Sequence, residues 1–134
     1  MIKTALLIAG ILLSQLVAAQ GDNLASIYKE IIALDGSYQK ALIQLNLDSH
    51  MAAKEKTAKL VDRMEKITGG SLIHPASQCR AAAIYLQIAR DLQWMTANSK
   101  YATATDKRID EANMRDFNEK LRLCHESVKT RSAK

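Results

Sequence analysis

Apolar residues recur at steps of three and four in four separate stretches of the chain, and this spacing predicts four amphipathic helices. In the first, over residues 23–47, Leu24, Ile27, Ile31, Leu34, Tyr38, Ala41 and Leu45 form one stripe, with Tyr28, Ile32 and Leu42 beside it. Gly36 lies inside that stretch and costs about 1 kcal/mol against alanine, but the phase is kept across it, so one continuous helix is expected. Asp48-Ser49 offers a cap for a second helix over 49–68. There Ala53, Leu60, Val61, Met64 and Ile67 share a side, and Lys54, Lys56, Lys59, Arg63 and Lys66 fall largely elsewhere. Gly69-Gly70 ends it, because glycine accepts the left-handed backbone that satisfies the last carbonyls.

After the linker 71–74, Pro75 suits the first position of a third helix over 75–97, where its missing N–H has no partner to lose. The main stripe there is Ala81, Ile84, Ile88, Leu92 and Met95. Ala82, Ala83, Leu86 and Ala89 make the first half apolar nearly all round, which is the pattern of a helix in the middle of a bundle. Thr103 and Asp106 have capping-box spacing and open a fourth helix over 105–129, with Met114, Phe117, Leu121, Cys124 and Val128 on one face. Short polar connections between helices of this length favour antiparallel neighbours. The expected fold is all-α, a small antiparallel four-helix bundle with up-down-up-down order in a single domain over 20–134.

The N-terminus reads differently. Fourteen of the first nineteen residues are apolar, behind a positive start at Lys3 and ahead of the small-residue exit Val17-Ala18-Ala19. This is the form of a signal peptide over 1–19, cleaved after Ala19. Its apolar run falls short of the roughly 20 residues that span a bilayer, and no later stretch approaches that length. The mature chain is therefore expected to be secreted or periplasmic, without a transmembrane segment.

Export gives the two cysteines a meaning, since oxidising compartments favour a disulfide. A hairpin of the third and fourth helices that turns at Tyr101–Ala102 brings Cys79 and Cys124 to equal height, at the end remote from the turn. Their bond would stabilise the fold by about 4 kcal/mol in the chain-entropy view. Neither cysteine has the close C-x-x-C partner of redox sites.

Other chemistries find little footing. Cys124-His125 supplies half of a C-x-x-C-H haem-attachment motif, but Leu121 stands where the first cysteine belongs. Periplasmic four-helix proteins that bind haem b are similar in size and layout; they pair an early methionine with a late histidine, and the mature chain has no methionine before Met51. No i, i+4 pair of histidines or H-E-x-x-H segment suggests zinc, and no G-x-S-x-G or glycine-rich phosphate loop is present. His50 reads as a solvated residue in a turn and His74 as a linker or cap residue. Neither an enzyme nor a bound cofactor or metal is expected.

The mature chain has eighteen basic against fourteen acidic residues, with the excess toward the C-terminus. Acidic residues are interspersed and only six aromatics occur, so nucleic acid is not an expected partner. Trp94 stands apart from the third helix's apolar stripe, on a partly polar face with Arg90, and that pairing is the composition of an interface anchor. The reading is an exported protein-binding module of the inhibitor, immunity, chaperone or envelope kind, with Arg90 and Trp94 in the contact surface and an unidentified protein as partner. The alternative is a carrier of a small apolar ligand within the bundle, suggested by Met64, Met95 and Met114 at inward positions and by an alanine-rich core.

Overall fold

The computed structural model describes residues 23–132 as four helices: α1 (Asn23–Gln44), α2 (Leu47–Thr68), α3 (Ser77–Asn98) and α4 (Ala104–Ser132), with no strand among the described residues. The expected signal peptide lies outside the described residues. Contacts across the helices fix the directions. Glu30 and Tyr38 of α1 meet Arg63 and His50 of α2, so numbers rise on one as they fall on the other. Glu65 and Lys54 meet Arg80 and Asp91 in the same antiparallel sense. Cys79 and Tyr85 of α3 meet Cys124 and Lys120 of α4. The helices alternate up and down, with α3 in contact with each of the other three. The α1–α2 and α3–α4 turns therefore share one end of the bundle, called here the loop end.

Local chemistry explains where each helix stops and starts. At the end of α1 the Leu45 N–H donates to Leu42 O at 3.2 Å and the Asn46 N–H to Ala41 O at 3.0 Å, which is the Schellman pattern. The position that glycine usually fills is Leu45, with φ of 49°. Asn46 then caps α2, its Oδ1 accepting from the Ser49 N–H at 2.9 Å, so α2 begins two residues before the stretch expected from Asp48-Ser49. Gly69, at φ 58°, closes α2. Pro75 sits in a turn rather than in α3: the His74 ring accepts from the Ala76 N–H through Nδ1 at 3.0 Å, and Ser77 N–H closes onto His74 O. The Thr103–Asp106 capping box is formed, with Thr103 N–H to Asp106 Oδ2 at 2.7 Å and Asp106 N–H to Thr103 Oγ1 at 3.2 Å.

The core is built from Ile27, Ile31 and Tyr38 of α1, Leu60 and Met64 of α2, Leu86 of α3 and Phe117 of α4, all almost fully buried. Cys79 and Cys124 are joined and completely buried, locking α3 to α4.

Helix α3 buries a different side most deeply from its main apolar stripe, of which Ala81, Ile84 and Leu92 are only partly buried. Its buried face is Cys79, Ala82, Ala83, Leu86, Ala89 and Arg90, whereas Ile88 and Met95 are 44% and 65% exposed. Small side chains explain the choice: a helix touching three neighbours needs close approach on its inner side, and alanine permits that where isoleucine does not.

Candidate functional site

The face of α3 that carries Arg90 and Trp94 points inward, toward α1 and α2. Arg90 is only 7% exposed. Its Nε donates to Asp35 Oδ1 at 2.7 Å, Nη2 reaches the same oxygen at 2.6 Å, and Nη1 donates to Gln93 Oε1 at 2.6 Å. A guanidinium so engaged satisfies a partly buried carboxylate and has little surface to offer a partner. Trp94 is half-buried, and the His50 ring stacks on it with centroids 4.4 Å apart and planes at 24°.

His50, expected in solvent, is buried at 4% exposure. The early start of α2 is the reason, since it places residue 50 one turn into the helix on the side facing α3. Its Nε2 lies 3.1 Å from Asp91 Oδ1, and Lys54 Nζ holds the other oxygen at 2.7 Å. Tyr38 meets the His50 ring edge-on at 5.3 Å. The Tyr38 hydroxyl is buried with no partner at hydrogen-bonding geometry. Burial pushes its pKa up to about 12; the Thr57 hydroxyl opposes the rise and the charge of Asp91 adds to it.

Chemically this seam resembles the base and orienting carboxylate of a catalytic pair, with the imidazole flanked by the Trp94 and Tyr38 rings. The Asp91 carboxylate satisfies the buried His50 imidazole and ties α3 to α2. Among the described residues no group of three or more His, Cys, Asp or Glu side chains is placed to hold a metal ion, and no helix is long and apolar enough to cross a membrane. Of the methionines expected inside, Met64 is fully buried, Met114 packs partly against the core and Met95 faces out. His125 stacks on Tyr28, centroids 4.7 Å apart, and joins α4 to α1.

The more distinctive surface is the loop end. Ile43 (83% exposed), Leu45, Leu47 and Met51 surround the α1–α2 turn, and Met95, Tyr101 and Ile109 surround the α3–α4 turn. Antiparallel pairing brings these two turns together. Most of the large apolar side chains exposed among the described residues thus gather at one end, with the partly open Trp94 at its edge. The sequence carried a signal of this surface in Ile43, Leu45 and Leu47, which crowd a turn where polar residues are usual. Compared with family profiles, curated proteins and solved structures, the chain matches none of them.

Proposed function

We propose that the protein is an exported, disulfide-stapled helical bundle that binds another protein, in the periplasm or outside the cell, through its apolar loop end. The observation that carries this reading is the cluster of seven exposed large apolar residues around the two adjacent turns. Isolated exposed apolar side chains are ordinary, but seven gathered at one end of a small bundle favour an interaction surface. Leu45 adds support. It occupies a left-handed backbone position at 62% exposure, where it costs about 1 kcal/mol relative to a residue free of that clash, and it makes no compensating burial. Local strain kept without a packing return is expected at functional positions. The contact surface in this reading is centred on Leu45, Leu47, Met51 and Met95, with Trp94 at its margin and Arg90 beneath it as a support.

The test replaces Met51 and Met95 together by serine and compares recovery of bound protein from the native compartment with that of the parent chain. Loss of about 90% of the bound partner with an unchanged melting temperature is the expected result. Full retention would reject the loop end as the binding surface.

A further inference from the structure

The opposite end of the bundle holds a second, chemically different feature. A cleft of about 560 Å³ opens between the start of α1, the end of α2, the α2–α3 connection and the end of α4. This volume lies in the range that accommodates a small ligand. The floor is apolar: Leu24, Ile27 and Ala76 are core residues at 5%, 2% and 2% exposure, and Ile67 packs beside them. The rim is basic, with Arg63, Lys66 and Arg131 around the mouth and His74 next to them, and among the described residues no carboxylate lines the cleft. Arg63 is already held by Glu30, outside the cleft. Lys66 and Arg131 form no ion pair among the described residues, so two uncommitted positive charges stand over an apolar floor.

From this arrangement we propose that the cleft binds a single-chain anionic amphiphile, its tail on Leu24, Ile27 and Ile67 and its head group between Lys66 and Arg131. Charge complementarity selects the occupant. A neutral apolar molecule would leave both cations unpaired, and a cationic one would be repelled by them. A small anion without a tail would leave the apolar floor wet. Leu72 and Ile73, 83% and 95% exposed in the connection leading to His74, place further apolar surface next to the mouth. The proposal concerns the other end of the molecule from the partner surface and does not depend on it.

The experiment titrates the mature, oxidised chain by calorimetry with dodecanoate, with a lysophosphatidate of the same chain length, and with dodecyltrimethylammonium. Methyl NMR spectra follow Leu24, Ile27 and Ile67. Saturable one-to-one binding of either anionic amphiphile is expected, at least 10-fold tighter than the cationic analogue and weakened by added salt. The tighter of the two anions distinguishes a carboxylate head from a phosphate head. Lys66→Glu combined with Arg131→Glu, both surface changes, is expected to weaken binding at least 10-fold with the melting temperature unchanged. Absence of saturable binding, equal affinity for the anionic and cationic probes, or shifts at Ile43 and Met51 in place of Leu24 and Ile67 would each overturn the proposal.

Discussion

Arg90 and Asp35 join α3 to α1 across the bundle, with Nε to Oδ1 at 2.7 Å and side chains that are 8% and 18% exposed. Removing one partner leaves the other charge in a poorly hydrated place, and that penalty exceeds the net worth of the pair. Arg90→Ala is therefore expected to destabilise the protein by about 3 kcal/mol in urea unfolding. Arg90→Met combined with Asp35→Leu is expected to come within about 1 kcal/mol of the parent, because both buried charges go together. A double variant no more stable than Arg90→Ala would contradict this account of the pair.

The same pair shows what could and could not be read from the chain. Helix number, the terminating Gly69, the Thr103–Asp106 cap and the Cys79–Cys124 bond were all legible, because each depends on local spacing or on two positions in one hairpin. The inner face of α3 was legible only in part: Ala82, Ala83, Leu86 and Ala89 marked its first half as apolar nearly all round, but the main stripe fell on the other side. With Ala82, Ala83 and Ala89 on one side and Ile84, Ile88 and Met95 on the other, hydrophobicity alone favours burying the larger side chains. The decision belongs to three neighbouring helices that must all come close. Once α3 is turned, Arg90 and Trp94 move inward, His50 acquires a carboxylate and a ring to meet, and Ile88 and Met95 become surface. The apolar loop end was hidden for a related reason: it is assembled from two turns more than 40 residues apart in sequence, and only antiparallel packing puts them side by side.

The disulfide joins residues 45 positions apart, and closing a loop of that size is worth about 4 kcal/mol through the unfolded state. Cys79→Ala with Cys124→Ala is expected to lower unfolding free energy by about that amount while keeping the helical circular dichroism at low temperature. A loss below about 1 kcal/mol would show that α3 and α4 are held by packing alone.

Tyr38 gives an alkaline limit to stability. Its folded pKa, about 12, lies above the unfolded value near 10. The unfolded chain therefore releases this proton first, and stability falls as pH rises from about 10 to 12. A loss on the order of 2 kcal/mol is expected across that window. Tyr38→Phe should remove this share of the decline and cost little at neutral pH, since the buried hydroxyl has no well-formed hydrogen bond to lose and the Thr57 hydroxyl beside it already donates to Ala53 O. Equal alkaline losses in the two proteins would contradict the assignment.

Leu45→Gly separates folding from binding. Glycine relieves the left-handed strain, worth about 1 kcal/mol, and gives back roughly half of that through a freer unfolded chain. The urea midpoint is expected to stay level or rise slightly, while recovery of the protein partner falls. A variant that loses stability would show that the Leu45 side chain is needed for the fold.

The most direct measurement places a photo-crosslinking amino acid at Met51, at Met95 or, as a control at the far end, at Ile73, and irradiates each protein in its native compartment. The account predicts one heterologous adduct of the same mass from Met51 and Met95, none from Ile73, and its disappearance when Leu45→Asp is added. Adducts of equal yield from all three positions, or a product of twice the chain's own mass, would contradict it.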